Sequence, residues 1–289
     1  MNTVHLNQGE SSYQTTLKLI LDQKEELEKQ LKDKEKIVIK INFVSAQREL
    51  ATTPIETVKA FIDSIRNFYR GKIIIAEEAT VGNAHDGFKQ FGFEKLVSGY
   101  DSVETFDSQD DEIEEINVKI GADLLTIPIS KIYLDSPFTV SITRAKTHDT
   151  VVATLSIKNL LVGAINKNRF LIHQGKKIHQ ILAQMTNFIY PDFSIVDGVV
   201  GMEGNGPVNG SPIKSNWVLS SFDPLAADSL ASYLMGFDVN DIGYLNLIGK
   251  MGKGKIYPKD QIEIMGPNPE HLVTLYQPHR TFSSQRQWR

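Results

Sequence analysis

The segment at residues 36–79 reads KIVIKINFVSAQRELATTPIETVKAFIDSIRNFYRGKIIIAEEA and contains two apolar runs on either side of a helical pattern. The run at 36–44 alternates as a strand does, and the run at 72–79 is typical of a buried strand. Between them a helix is predicted to begin near Pro54 and to end before Gly71. The segment therefore predicts a β-α-β unit whose two strands are parallel and end at the same edge of a sheet.

The flanking sequence continues this pattern of strands and helices. PFTVSIT at 137–143 and DFSIVDGVV at 192–200 predict two more strands, and helices are predicted at 176–190 and after Pro224. We therefore expect an α/β fold, with a mostly parallel or mixed sheet and helices on both faces. A chain of 289 residues is long enough for one large unit of this kind or for two lobes.

Composition excludes several classes of function. The formal net charge of −4 argues against general nucleic-acid binding, which depends on a basic surface that neutralises phosphates. The chain has no cysteine, so disulfides, thiolate metal sites and cysteine-ligated iron–sulfur clusters are excluded. The first residues lack the pattern of a signal peptide and no apolar run is long enough to span a membrane, so a cytoplasmic protein without a membrane partner is expected.

A cationic segment at 143–175, TRAKTHDTVVATLSIKNLLVGAINKNRFLIHQG, follows directly after a predicted strand. It holds one acidic residue, Asp149, against five Lys or Arg, and its connecting residues are mostly small or apolar. Polar groups interleaved with apolar residues indicate the wall of a pocket. Its polar members are Arg144, Lys146, His148, Lys158, Asn159, Lys167, Asn168, Arg169 and His173.

The predicted topology brings further polar residues to the same place. Ligands of open α/β sheets bind outside the carboxyl ends of the strands, where Asn42, Glu77 and Glu78 are expected. A glycine-rich loop at 201–210, GMEGNGPVNG, follows the strand at 192–200. So many glycines indicate positive φ angles or close backbone approach to a ligand, and Glu203 is the one charged residue among them.

Eight motifs follow one another along the chain: KINFV at 40–44, TTP at 52–54, AEEA at 76–79, AKTH at 145–148, TLSIKNLLVG at 154–163, His173, DGVVGMEGNGPVNG at 197–210 and DPLAADSLA at 223–231. This order resembles an uncharacterised bacterial and archaeal family, defined by the domain of unknown function 362. The resemblance covers roughly residues 36–266, implies a shared α/β domain and pocket, and singles out Lys146, His148, Lys158, Asn159 and His173 for testing. Two features depart from the family pattern, namely Ile41 in place of an expected proline and the lack of the cysteine-rich ferredoxin-type segment of many relatives.

The two ends of the chain lie outside this region. Apolar residues at helical spacing predict an amphipathic helix over 14–34, within an N-terminal extension at 1–35. Residues 267–289 are predicted to form a surface tail.

Each candidate residue also has a structural interpretation. Lys158 either faces a ligand or pairs with an acid, for which Glu77, Glu78 and Asp197 are available. Lys146 and His148 share a side of an extended strand and either bind a ligand or form a hydrogen-bonded rim. His173 either acts in the site or positions the next helix. Asp228 lies off the apolar stripe of its helix and has no evident capping role, so a ligand contact is expected for it.

Two functions from different classes remain open. The first is an enzyme for a small anionic metabolite, a carboxylate or a phosphate. In this hypothesis His148, Lys158 and His173 are catalytic, and a divalent metal, if one binds, lies among His148, His173 and Glu203. The second is a non-catalytic anion- or metal-binding or assembly protein, and a larger oligomer is compatible with both. The predicted ligand-binding residues are Asn42, Arg144, Lys146, Asn159, Gly204, Gly206 and Asp228.

Overall fold

A computed structural model describes residues 3–289 as a central sheet covered by helices on both faces. The strands are β1 (Thr3–Gln8), β2 (Lys36–Lys40), β3 (Lys72–Glu77), β4 (Val103–Asp107), β5 (Ile113–Ile120), β6 (Asp123–Ser130), β7 (Thr139–His148), β8 (Val152–Thr154), β9 (Phe193–Glu203), β10 (Ser211–Lys214), β11 (Trp217–Ser221) and β12 (Glu263–Met265). The helices are α1 (Ser12–Leu21), α2 (Lys24–Leu31), α3 (Ile55–Ile65), α4 (Ala84–Gln90), α5 (Phe93–Val97), α6 (Lys131–Leu134), α7 (Ser156–Gly163), α8 (Lys177–Met185), α9 (Pro224–Leu234), α10 (Gly243–Lys250) and α11 (Phe282–Gln285).

The main sheet has the order β12-β1-β11-β9-β7-β2-β3-β4. Its centre, β9-β7-β2-β3-β4, is parallel throughout, whereas β11 pairs antiparallel with both β9 and β1. The short strands β8 and β10 pair antiparallel with β7 and β9, and β5 and β6 form a separate hairpin. The predicted α/β class, the β-α-β unit and the largely parallel sheet are confirmed.

Two apolar cores lie on opposite faces of this sheet. Helices α1 to α5 cover one face, with Phe61 and Phe93 among the fully buried side chains. Helices α7 to α10 cover the other, with Leu182 and Leu230 equally buried. The alternation along each strand divides its side chains between the two cores, as expected for a sheet buried on both sides.

The first and last segments of the chain differ from the predictions made for them. The helix expected over 14–34 is divided into α1 and α2, because Gln23 between them turns inward and donates to the Leu19 carbonyl and to Ser220 Oγ. The segment before α1 is a strand of the main sheet. Residues 267–289 are not merely a surface tail, since Leu272, Tyr276 and Gln285 are buried. The domain boundaries at 35 and 266 stay predictions.

The order in which strands are added to the sheet reverses beside β2. The chain leaves β2 to form β3 on one side, and later returns as β7 on the other side. A crevice forms outside the carboxyl ends of strands at such a switch point, and it is the usual ligand site in open α/β sheets. Asn42 lies two residues after the end of β2, and His148 is the last residue of β7.

Candidate functional site

A cavity of about 220 Å³ lies at this switch point. Its walls come from the loops after β2 and β3, the end of β7, helix α7, the segment at 169–173 and the glycine-rich loop. The structure therefore brings together five of the residues predicted from the sequence: Asn42, His148, Lys158, Asn159 and His173.

Lys158 is the cation at the base of the cavity. It is 5% exposed, and its ammonium group makes no hydrogen bond or ion pair with any residue that the structure describes. Burial lowers its pKa to about 8; the charge of Asp149 partly opposes this and that of Arg169 adds to it. Buried ammonium groups usually have a partner, so a lysine without one inside a cavity is placed to receive an anion.

The acids considered as structural partners for Lys158 are engaged elsewhere. Glu77 forms a buried ion pair with Lys40, and Glu78 accepts from the Lys167 backbone N–H at 3.1 Å. Asp197 accepts hydrogen bonds from Thr57 Oγ1 and from the Val199 backbone N–H. None of these three acids therefore pairs with Lys158, and its ligand-facing role stays a prediction.

His148 presents an N–H to the cavity. Its Nδ1 accepts from the Thr150 backbone N–H at 3.0 Å and also lies 3.1 Å from Asp149 Oδ1. Burial, together with the positive charge of Lys158, lowers the pKa of His148 well below its ordinary value, so the ring is neutral. The Asp149 carboxylate is half-exposed and already accepts from Thr150 Oγ1, whereas the Thr150 backbone N–H is directed at Nδ1, so we assign the ring proton to Nε2.

His173 has the opposite arrangement. Its Nδ1 lies 2.9 Å from the Arg169 carbonyl oxygen, which can only accept, so Nδ1 carries the proton of the neutral ring. The free lone pair is then on Nε2. Burial lowers the pKa of His173, while the bond to Arg169 raises it and the charge of Lys158 lowers it further. The ring is therefore in the neutral, proton-accepting form near neutral pH.

Two asparagines complete the polar wall. Asn159 Nδ2 donates to the Lys40 carbonyl and to Ser141 Oγ, whereas its Oδ1 is buried and has no partner among residues 3–289. Asn42 Oδ1 accepts from Lys146 Nζ, which also donates to the Ala51 carbonyl at 3.0 Å. Lys146 is fully buried behind Asn42, and this burial, with the charges of Arg144 and Lys158, lowers its pKa well below the ordinary value. Lys146 thus acts on the site through Asn42.

Arg169 lines the cavity. It belongs to the cationic segment at 143–175 but was not among the predicted site residues. Its Nη1 donates to Thr80 Oγ1 at 2.8 Å, and its Nη2 lies 3.7 Å from Glu77 and 3.8 Å from Glu78. The signal in the sequence was its position, four residues before His173. The buried pair of Lys40 and Glu77, which lies behind it, had no sequence signal beyond a lysine inside an apolar strand.

Two predicted ligand contacts, Arg144 and Asp228, and the predicted metal ligand Glu203 lie outside the cavity. Arg144 lines a separate surface groove and donates to the carbonyls of Thr52 and Val200, because a register shift of β7 separates it from Lys146. Asp228 is fully buried and accepts from the backbone N–H groups of Ser156 and Ile157 at 2.9 Å, so it caps α7. Glu203 accepts from the Gln277 backbone N–H at 2.7 Å.

The two predicted glycines shape the loop and do not line the cavity themselves. Gly204 has a φ of +72°. At Gly206 a Cβ would lie 2.2 Å from the Thr147 carbonyl oxygen, so only glycine permits the loop to approach β7 so closely. Pro207 and Val208, which follow, form part of the cavity wall.

The metal site expected among His148, His173 and Glu203 is not assembled. Over residues 3–289, the group whose ligand atoms all lie within 4.8 Å of one another is His85, Asp107 and Asp110. In the assigned tautomers of His148 and His173, the imidazole lone pair that faces the cavity is that of His173 Nε2.

Comparison with known proteins places this fold in a family. The family model described as a domain of unknown function, DUF362, matches residues 37–233. The chain belongs to the DUF362 family. This range includes every cavity-lining residue named above, so the site lies within the family domain.

The individual relatives and fold neighbours of this chain are distant from it. A thylakoid-associated protein of Synechocystis sp. is 29% identical over 115 residues, which span 38% of this chain and 36% of the relative. The lactate racemase apoprotein of Thermoanaerobacterium thermosaccharolyticum has a TM-score of 0.52 at 15% identity, with 81% of this chain and 57% of that chain covered. A Thermotoga maritima protein has a TM-score of 0.41 at 10% identity, with 84% and 60% covered. The chain thus spans about a third of the curated relative and just over half of the racemase, and the latter likeness shows the fold alone.

The helices of this DUF362 chain are short. Across residues 3–289 none combines the length and the apolar character that crossing a bilayer requires. The cytoplasmic location stays a prediction.

Proposed function

We propose that this DUF362 protein is an enzyme that binds a small carboxylate anion at Lys158 and transfers a proton with His148 and His173. One observation carries the proposal, namely the buried ammonium group of Lys158, which faces a cavity without a partner. A carboxylate would supply that partner.

The electrostatics of the cavity favour an anion. The ammonium group of Lys158 has no ion-pair partner, whereas the charge of Arg169 is balanced by Glu77 and Glu78. The neutral imidazole of His148 adds an N–H donor. A carboxylate that enters loses water but gains charge-assisted hydrogen bonds, which are about twice as strong as neutral ones. The volume of about 220 Å³ is below the ~300–1,000 Å³ of cavities for drug-sized ligands, so the anion is a small metabolite.

The two imidazoles support proton transfer at a carbon next to a carbonyl group. His173 Nε2 accepts the proton from carbon, and the electron pair moves onto the carbonyl oxygen. His148 Nε2–H donates a hydrogen bond to that oxygen as its negative charge develops, which is a usual source of transition-state stabilisation. The lactate racemase apoprotein, whose fold is similar, is named for a small carboxylic acid, which agrees with a carboxylate at Lys158.

The exchange of carbon-bound hydrogen for deuterium tests this proposal. Pyruvate and 2-oxobutanoate in D₂O serve as probes, and ¹H NMR follows the loss of the signal from C3. The protein should accelerate exchange, and His173→Gln should reduce the acceleration by about 10²–10⁴-fold, the usual contribution of a general base.

Matched variants give this experiment its controls. His271→Gln changes an exposed histidine far along the chain and should retain full exchange activity. Lys158→Met should lose both the binding of 2-oxo acids and the exchange. Binding that depends on Lys158 without any exchange would contradict the enzyme proposal and favour the non-catalytic anion-binding protein.

A further inference from the structure

The polarity of the cavity changes with depth. Lys158, His148 and Asn159 at its base are 5%, 4% and 2% exposed. At its mouth the apolar Val81 and Phe170 are 51% and 82% exposed, beside the exposed polar residues Thr80, Asp149 and His173. The base of the cavity is therefore polar and shielded from solvent, whereas the mouth combines apolar surface with the carboxylate of Asp149.

Phe170 is held at this mouth by its neighbours in the chain. It belongs to a 3₁₀ segment, Arg169–Ile172, and its ring lies 6.1 Å from the ring of His173, centroid to centroid. Arg169 is anchored by Thr80, and His173 is anchored by the Arg169 carbonyl. The phenyl ring is thus exposed in a short segment that is fixed at both ends.

Other apolar residues extend this surface. Val44, Val162, Pro207 and Val208 are each half-buried and line the same cavity. A bare inorganic anion bound at Lys158 would leave these side chains in water. A second carboxylate on the ligand would meet the like charge of Asp149, and polar groups placed against these apolar side chains would lack partners, which costs free energy.

We propose that the ligand is a monocarboxylic acid with an unbranched apolar tail of a few carbons. Its carboxylate pairs with Lys158, and its tail extends along Val162 to the ring of Phe170. The inference rests on the proposed anion site for its head group, and adds the substrate class. Phe170 is the residue that determines the preference for tail length.

Calorimetric titration with acetate, butanoate and hexanoate tests this substrate class. Affinity should rise about fourfold for each added methylene, which is the ratio that ~0.8 kcal/mol per buried methylene gives. The heat-capacity change of binding should become more negative along the series, because more apolar surface is buried. Phe170→Ala should reduce the dependence on length and leave the affinity for acetate unchanged. Phe188→Ala, at another exposed phenylalanine, is the matched control and should retain the full dependence.

The possible outcomes distinguish a failure of the proposed tail site from a failure of the proposed carboxylate site. Equal affinities for the three acids, all lost in Lys158→Met, would overturn the substrate class and leave the anion site intact. Retention of hexanoate binding in Lys158→Met would overturn the anion site itself. The same dependence on length in Phe170→Ala as in Phe188→Ala, or tighter binding of succinate than of butanoate, would also overturn the inference.

Discussion

His148 and His173 face one cavity with opposite hydrogen bonding at Nδ1: His148 accepts from the Thr150 N–H, and His173 donates to the Arg169 carbonyl. As a result one ring presents an N–H to the cavity and the other presents a lone pair. Neutral imidazoles in these two tautomers form a donor and an acceptor without any change of charge. This difference is the basis for assigning them separate roles in proton transfer.

The proposed roles predict a bell-shaped dependence of exchange on pH. His173 must be neutral and its pKa lies below the ordinary 6.5, so the rate should rise with pH and level off before that value. Lys158 must be protonated and its pKa is about 8, so the rate should fall above that pH. Lys158→Arg, which stays charged, should retain activity above pH ~9, since arginine does not deprotonate there. A rate that increases steadily through pH 8 in the wild-type protein would contradict the assignment.

The cap that Asp228 forms predicts a large effect on stability. Asp228→Ala removes the acceptor of two buried N–H groups at the start of α7, the helix that carries Lys158 and Asn159. The helix loses its cap, and the two buried N–H groups are left without an acceptor. The free energy of unfolding, measured by urea denaturation, should therefore fall by about 2–4 kcal/mol. Asp238→Ala, at an exposed residue that also accepts a backbone N–H, is the control and should cost less than ~1 kcal/mol. Equal effects of the two variants would show that the buried cap has no special role.

The contact between Gly163 and Lys40 predicts that α7 cannot carry a side chain at its last residue. A Cβ at 163 would lie 2.1 Å from Lys40 Cε, and the ion pair with Glu77 prevents Lys40 from moving away. Gly163→Ala should therefore destabilise the protein by about 1–3 kcal/mol, although alanine gains ~1 kcal/mol of helix propensity. Thermal denaturation measures this.

Gly249→Ala is the matched control for that substitution. Gly249 also lies in a helix, and the Cβ would meet Ile256 Cδ1 at 2.5 Å, the mobile end of an aliphatic side chain. We expect a melting temperature close to that of the wild type. A similar loss in both variants would mean that the buried ion pair does not restrict residue 163.

The sheet could be predicted from sequence because its strands carry local signals. Alternation in 36–44, the buried run at 72–79 and the helix between them are features of neighbouring residues, and they imply a parallel pair. The same topology places Asn42 and the end of β7 at one edge. The position of these strand ends therefore predicted that Asn42, His148 and Lys158 line one cavity.

The contacts that the sequence could not reveal join distant residues. Asp228 caps a helix that begins 72 positions earlier, so its own helix gives no sign of this role. Arg144 was predicted to bind the ligand because it belongs to the cationic segment, but a register shift between Arg144 and Lys146 places it at a separate groove. Glu203 was predicted as a metal ligand from its isolation among glycines, whereas it binds the backbone of Gln277 in the folded chain.

The ionisation of Lys158 decides whether the cavity is an anion site. Lysine labelled with ¹³C at the ε carbon can be titrated by NMR, and the resonance of Lys158 is identified by its loss in Lys158→Arg. We predict a pKa of about 8 in the free protein, because the ammonium group is buried without a partner. Saturating butanoate should raise that pKa, since a bound carboxylate stabilises the charged form. A pKa near the ordinary 10.5, unchanged by butanoate, would contradict the carboxylate site.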